Sequence, residues 1–292
     1  MYKQIAQNKR RTVLIMMGFV ILIGAIGAAF AYYYGDWSIV IYTVVAAVIY
    51  ACLQYFIADK ATMVMTGAHE IEKKDNPRFY NIVENLSITT GLPMPKVYLV
   101  DDPAPNAFAT GRDPDHAMVA ATTGLIDIMD DKELTAVMAH EMSHVKNYDI
   151  RVSLIVFGLV CVIGFLSDVG SRMMFYGNRR RDNEGSPVGI VFILVASILS
   201  PIIATIIQMA VSREREYLAD ASAVNITRHP DGMIDALKKL QAHGRPLKNQ
   251  NTAASSMYIN DPLRKGFISS LLSTHPPIEK RIERLEHGKK NF

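Results

Sequence analysis

The stretch DDKELTAVMAHEMSH, residues 130–144, is the most informative segment of this 292-residue sequence. It opens with Asp130 and Glu133, which have the spacing of a helix capping box. Alanine and leucine follow, and both residues favour helix. We therefore predict one helix that carries His140 and His144 four residues apart, on the same face.

The pattern His140-Glu141-x-x-His144 predicts a zinc site. Two imidazoles one helical turn apart can bind one ion, while Glu141, on the adjoining face, reaches a water molecule bound to it. Catalytic zinc keeps three protein ligands and leaves a fourth position for water, whose pKa falls towards about 7. Glu141 can then take the proton of that water as general base. The alternative is a coincidental surface helix with two solvated histidines.

A second helix offers the third zinc ligand. The metzincin pattern needs Gly and His at fixed offsets after the second histidine, and Asn147 and Ile150 stand there instead. In SREREYLADASA, residues 212–223, Glu216 and Asp220 lie one turn apart on one face. This suits a ligand carboxylate, Glu216, with Asp220 holding a zinc histidine in its tautomer. The alternative is a solvated, salt-bridged face, as most charged helices have.

Half of the residues are hydrophobic and the mean hydropathy is +0.13, so the composition is too apolar for an ordinary soluble enzyme. Four apolar runs account for this hydrophobic content: Thr12 to Tyr34, Ser38 to Ala58, Val152 to Ser167, and Pro187 to Val211. None contains a charged residue, so each can lie in hydrocarbon. All but the third reach the roughly 20 residues of a spanning helix. The runs predict a polytopic membrane protein.

The distribution of basic residues predicts the orientation. Lys and Arg precede Thr12, whereas residues 35–37, which link the first two runs, contain neither. The N-terminus and the region after Ala58 should therefore face the cytoplasm. A cleaved signal peptide is disfavoured, because the first run is too long and a second follows almost at once. Arginines 179–181 leave two options for runs three and four: a partly inserted hairpin, or a full crossing with a solvated cluster.

The soluble segments contain a small predicted sheet. Lys96–Val100 and Ala117–Ala121 have strand character, and Asn106–Thr110 can pair with the latter across the turn-rich residues 111–115. Pro77–Thr90 has helical periodicity and is followed by Gly91, as helix ends often are. Helices are expected elsewhere.

Charge and cysteine content exclude several classes. The net charge is +3, the pI is about 8.7, and no basic stripe is interleaved with aromatics, so no nucleic-acid partner is expected. The small basic excess fits an anionic lipid surface. Cys52 and Cys161 both lie in apolar runs, which excludes a disulfide framework.

Taken together, these motifs resemble the HtpX-type membrane zinc metalloproteases, gluzincins related to the eukaryotic prenyl-protein endoprotease. The matching motifs are HEMSH at 140–144, SREREYLAD at 212–220, NAFATG at 106–111, and THPP at 274–277 with Arg281. The resemblance implies a mainly α (α+β) fold with a small β-sheet. It also implies one Zn²⁺ per chain on His140, His144 and Glu216, with Glu141 as base and Asp220 in support.

The apolar runs also divide the chain into segments. They predict an N-terminal transmembrane hairpin in residues 1–58 and a first part of the protease domain in 59–150. Residues 151–211 would form a second apolar helix pair, and 212–292 the second part of the protease domain with the third ligand.

Further site residues rest on the same resemblance. Asn106, Ala107, Phe108 and Ala109 would form an edge strand that pairs with extended substrate; an inner hairpin strand is the alternative. His275 would hydrogen-bond the developing oxyanion. Arg281 would anchor that loop or a substrate carbonyl.

The expected function is cleavage of misfolded or damaged membrane proteins at the cytoplasmic face of a bacterial inner membrane, in quality control and stress response. Self-cleavage is expected to be possible. Two other classes remain open: a zinc-binding transporter or channel, which usually places ionisable groups at membrane depth, and a non-catalytic adaptor with a closed structural zinc site.

Overall fold

The computed structural model describes residues 2–162, 213–248, 257–259 and 276–289, and these are mostly helical with one four-stranded sheet. The helices are α1 (Tyr2–Tyr34), α2 (Ser38–Thr66), α3 (Pro77–Thr90), α4 (Thr123–Ile128), α5 (Asp131–Lys146), α6 (149–162, as far as it is described), α7 (Arg213–Thr227), α8 (Pro230–His243) and α9 (Ile278–Gly288). The strands are β1 (Ala68–Glu70), β2 (Lys96–Val100), β3 (Ala107–Thr110) and β4 (Met118–Thr122). This confirms the predicted mainly α class with a small sheet.

Helices α1 and α2 form a long antiparallel hairpin that turns at Gly35, where φ is 71°. Both helices are longer than the apolar runs predicted: α1 begins at Tyr2 instead of Thr12, and α2 ends at Thr66 instead of Ala58. The polar ends continue as helix because they pack against the rest of the chain, as Asn8 and Thr62 do with 2% and 0% exposure. Both helices are long and apolar enough to cross a membrane.

The surface of the hairpin also suits a bilayer. Large apolar side chains point outward along it, including Ile21, Ile41 and Phe56, each more than half exposed. Exposed aromatic residues, among them Tyr32 and Trp37, lie at the turn, whereas basic residues lie near the opposite end of α1. From Arg11 to Tyr32, the first exposed aromatic residue of α1, about 21 residues at about 1.5 Å rise span roughly 30 Å, the thickness of a hydrocarbon core. Such flanking belts are typical of spanning helices, and together these features suggest a membrane protein.

The sheet has the order β1-β2-β4-β3, with β2 and β4 parallel and the other two pairs antiparallel. The strand predicted at 96–100 appears as β2. The strand predicted at 106–110 appears as β3, which begins one residue later, and the strand predicted at 117–121 appears as β4, shifted by one residue. The predicted pairing of β3 with β4 is confirmed, with Phe108 opposite Ala120. Strand β1 had no sequence signal, because a three-residue edge strand is too short to show alternation.

Helix α5 is the central element of the soluble part. It packs against α3, α7, α8 and β3, and its apolar residues belong to the largest hydrophobic cluster. Its predicted capping box is present: Glu133 N–H donates to Asp130 Oδ1 at 2.9 Å, and Asp130 N–H donates to Glu133 Oε2 at 2.7 Å. Lys239 of α8 also donates to Glu133, at 2.6 Å. The start of α5 is therefore held by its own cap and by a neighbouring helix.

We expect Asp130→Ala to lower the free energy of unfolding by about 1 kcal/mol, because an N–H at the start of α5 loses its acceptor. Denaturant unfolding of the purified protein measures this. Asp127→Ala, an exposed acidic residue outside the capping box, is the matched control and should leave the midpoint nearly unchanged. Equal shifts for the two variants would show that the cap contributes nothing.

Candidate metal centre and active site

Three side chains converge on one point: His140 and His144 of α5 and Glu216 of α7. The two histidine Nε2 atoms lie 3.2 Å apart, and each lies 3.6 Å from an oxygen of Glu216. Ligands at about 2.0–2.1 Å from a tetrahedral zinc ion would lie about 3.3–3.4 Å from one another. The donor set and its spacing therefore fit a single metal ion. All three predicted ligands are brought together.

Packing of α5 on α7 sets this convergence. The face of α7 next to Glu216 carries Ala219 and Ala223, which are 1% and 0% exposed. Small side chains at these positions let the two helix backbones approach closely. As a result the short glutamate side chain reaches the histidines across the interface, although 72 residues of sequence separate Glu216 from His144.

Asp220 holds His140 from behind, as predicted. Its Oδ1 lies 2.9 Å from His140 Nδ1. Burial by itself lowers the pKa of His140, but Asp220 and Glu216 outweigh it and raise that pKa to about 9. Burial raises the pKa of Asp220, but Arg281 and His140 lower it to about 2. Asp220 therefore stays ionised and accepts the Nδ1 proton, and Nε2, which faces the metal position, would release its own proton when a metal ion binds.

Asp149 holds His144 in the same way, and sequence analysis did not identify it. Its Oδ2 lies 3.1 Å from His144 Nδ1. It begins α6, directly after Tyr148, whose φ of 61° reverses the chain so that Asp149 points back at α5. Burial raises the pKa of Asp149, but the hydrogen bond and charge of His144, together with Arg215 and Asn8, keep that pKa below its usual value. The only sequence signal is an acidic residue five positions after His144, a spacing that matches no motif.

Arg281 is the most deeply buried arginine among the described residues, at 1% exposure. Its Nε and Nη2 donate to the two oxygens of Asp220 at 2.9 and 2.6 Å, and its Nη1 lies 3.4 Å from the carbonyl of Ile259. Sequence analysis expected Arg281 to anchor a loop or a substrate carbonyl. The structure places its guanidinium behind the metal ligands, on Asp220.

Glu141 lies next to His140 on α5 and is 2% exposed. Its charge, after those of Asp220 and Glu216, is among those that raise the pKa of Arg281 against the opposing effect of burial. The predicted base is thus part of the same buried charge network. His275, the predicted oxyanion partner, and Ser212 lie outside the described residues.

The strand predicted to bind substrate, β3, is an edge strand of the sheet. Residues 257–259 of the same chain lie along its outer side. Tyr258 forms a β-bridge with Phe108, and their rings are 4.9 Å apart. The Ile259 N–H donates to the carbonyl of Ala107 at 3.0 Å. The backbone N–H of Asn106, at the start of this segment, donates to the hydroxyl oxygen of Thr122 at 2.9 Å. Part of the outer side of β3 therefore pairs with residues 257–259.

This combination of an HExxH helix, a glutamate from a second helix and a carboxylate behind each histidine defines a metallopeptidase of the gluzincin type.

Comparisons with known proteins lead to the same class. The profile of Peptidase family M48 matches residues 73–289. The "Protease HtpX homolog" of Tropheryma whipplei (strain Twist) is 51% identical over 292 residues, covering 100% of both chains. That of Ligilactobacillus salivarius (strain UCC118) is 46% identical over 294 residues, covering 98% of this chain and 99% of the relative. The crystal structure of S. mikatae Ste24p shares the fold, with a TM-score of 0.52 at 20% identity, over 98% of this chain and 67% of that one. The chain belongs to peptidase family M48, a family of metalloproteases.

We expect Asp220→Asn and Asp149→Asn each to weaken zinc affinity by about 10–100-fold, because each removes the carboxylate behind one histidine. Competition with a chelator measures this. The two variants should differ in stability: Asp220→Asn leaves the Arg281 charge buried without its counter-ion, at a cost of about 3–5 kcal/mol. Asp149 contacts the less buried Arg215, so its variant should unfold nearer to the wild type. Unchanged zinc affinity in both variants would contradict the assigned role.

Proposed function

We propose that the chain is a zinc-dependent endopeptidase of the EC 3.4.24 type that cleaves membrane proteins at the cytoplasmic face of the bacterial plasma membrane. The observation that carries this proposal is the convergence of His140, His144 and Glu216, with Glu141 buried beside them. Full-length relatives named as proteases support the same chemistry.

A zinc ion held by His140, His144 and Glu216 would polarise the scissile carbonyl and lower the pKa of a nearby water. Glu141 would take the proton of the attacking water and later deliver it to the leaving amine. Low exposure of the site removes competing water and strengthens the electrostatic interactions within it. We propose His275 as the donor to the developing oxyanion.

Among the described residues, the acidic and histidine side chains that could hold the metal number three. A structural zinc site would be closed by a fourth protein ligand, whereas a catalytic one leaves that position open. This favours the peptidase over a non-catalytic adaptor. A channel is also disfavoured, because the cluster lies in the soluble part and the apolar runs Thr12 to Tyr34 and Ser38 to Ala58 contain no charged residue.

Substrate binding is proposed along Asn106–Ala109. In an antiparallel strand the backbone groups of alternate residues point to the same side. Because the Ala107 carbonyl faces residues 257–259, the backbone groups of Ala109 face that side too. Because residues 257–259 already pair with this side at Ala107 and Phe108, an extended substrate would have to displace them. It would then be held by backbone hydrogen bonds, which tolerate many sequences. Arg281 would contribute indirectly, by fixing Asp220.

Two features support a cytoplasmic active site. Asn8 of α1 is hydrogen-bonded to Asp149, which in turn contacts His144, so the metal position lies at the N-terminal end of the hairpin. That end carries Lys9, Arg10 and Arg11. By the positive-inside rule, this end lies in the cytoplasm.

The role in quality control and stress response, with misfolded or damaged membrane proteins as substrates, rests on the family resemblance. A multi-pass position in the inner membrane, contact with anionic lipid and the absence of a nucleic-acid partner complete the proposal. Cytoplasmic loops near the site would also make self-cleavage possible during purification.

We expect Glu141→Gln to keep zinc but to reduce cleavage of a membrane-protein substrate by at least about 10²-fold, because general-base catalysis is lost. Metal analysis and proteolysis are measured side by side on full-length protein. His140→Ala is the matched control, and it should lose both zinc and activity. Full activity in Glu141→Gln, with contaminating protease excluded, would falsify the proposal. Ion flux in liposomes that persisted in the same variant would favour the channel instead.

For the orientation, single cysteines are placed at Gln7 and Asp36 in a variant with Cys52 and Cys161 replaced by Ala. A membrane-impermeant maleimide added to intact spheroplasts should label position 36 and not position 7. Position 7 should react only after permeabilisation, because it lies at the cytoplasmic end. The reverse pattern would place the active site outside.

A further inference from the structure

Asn8 is a buried polar residue at the start of α1, with 2% exposure, between the exposed Gln7 and Lys9. Its side-chain Nδ2 donates two hydrogen bonds to one turn of the soluble part. One goes to the carbonyl of Asn147 at 2.9 Å, and the other to Asp149 Oδ1 at 2.7 Å. A single amide thus holds both the backbone and the carboxylate of the turn that follows α5.

The two oxygens of Asp149 have different partners. Oδ2 faces His144 Nδ1 at 3.1 Å. Oδ1 accepts from Asn8 and from Arg215 Nη1, at 2.7 and 3.1 Å. With Oδ1 held from two sides, rotation of the carboxylate is restricted and Oδ2 stays directed at the imidazole. The shorter of the two restraining bonds comes from α1.

Apolar packing keeps Asn8 in this position. About two and three helical turns further along, Ile15 and Phe19 of α1 belong to the same buried cluster as Val152 and Val156 of α6. On the polar side, Lys9 lies over the ring of Tyr148 at 4.6 Å from its centroid. Contacts on both sides of Asn8 therefore fix α1 against the turn that carries Asp149.

We propose that Asn8 is a positioning residue for the metal ligand His144, acting through Asp149. Helix α1 thereby completes the metal site as well as anchoring the chain. Groups that orient a histidine ligand from behind typically affect metal affinity by about 10–100-fold. The inference rests on the zinc site proposed above, but it can fail separately from it.

The test uses Asn8→Leu, which has similar volume and no donor, in full-length protein. Glu141→Gln is present in every sample to prevent self-cleavage. Zn²⁺ affinity is measured by competition with a chelator, and the visible spectrum of Co²⁺-loaded protein reports ligand geometry. We expect Asn8→Leu to weaken Zn²⁺ binding about 10-fold and to alter the Co²⁺ spectrum. Gln7→Leu, the same kind of change at the exposed neighbour, should bind within about twofold of the parent.

A double-mutant cycle with Asp149→Asn separates positioning from mere packing. If Asn8 acts through Asp149, the double variant should bind Zn²⁺ no more weakly than Asp149→Asn alone. Should Asn8→Leu fail to fold, Asn8→Ala, which adds no bulk, replaces it in the cycle. Parent-like Zn²⁺ affinity in the Asn8 variant, or losses that simply add, would overturn the inference. Failure of the parent protein to bind Zn²⁺ would instead overturn the zinc assignment.

Discussion

The active site depends on one requirement: both histidines must present an unprotonated Nε2 to the same point. A neutral imidazole carries its proton on either nitrogen, and only the form protonated at Nδ1 leaves Nε2 free for a metal. An acceptor behind each ring selects that form, and here Asp220 and Asp149 supply it. Both carboxylates are buried, so each needs its own donors to stay ionised. Arg281 donates hydrogen bonds to Asp220, while Arg215 and Asn8 donate to Asp149.

This requirement explains why distant parts of the chain meet around α5. The third metal ligand, Glu216, and the supporting Asp220 come from α7. Arg281 comes from α9 and Asn8 from α1. A buried ion pair such as Arg281–Asp220 is weak evidence for stability, because apolar replacements of such pairs are often neutral or stabilising. Its contribution here is geometric. It fixes Asp220, and through Asp220 it fixes the ring of His140.

Much of this arrangement could be predicted from local patterns. The capping box and the HExxH spacing located α5 and two ligands, because both depend on short-range helix geometry. Strand alternation located β2, β3 and β4, and hydropathy located the α1–α2 hairpin. Resemblance to a family was needed to choose Glu216 among several charged residues on α7. Local patterns alone could not separate a ligand from a solvated face.

The residue roles that the sequence did not predict depend on contacts between distant segments of the chain. Asp149 acts as it does because Tyr148 adopts a left-handed conformation, and no local pattern signals that. Asn8 gains its role only when α1 packs beside the turn after α5. Arg281 was expected to anchor the loop of His275 or a substrate carbonyl, yet its partner is Asp220, 61 residues away in sequence on a different helix. Such partners are set by tertiary packing, which periodicity does not report.

The sequence positions of Asn8, Asp149 and Glu216 relative to the apolar runs set the depth of the metal site in the membrane. Asn8 comes shortly before the run that begins at Thr12, Asp149 shortly before the run at Val152, and Glu216 shortly after the run that ends at Val211. If these runs lie in hydrocarbon, as the proposed multi-pass position requires, all three residues lie at the same membrane surface. In the proposed function, a metal centre at this level would act on chain segments that emerge from the bilayer, without any of its charges entering the hydrocarbon.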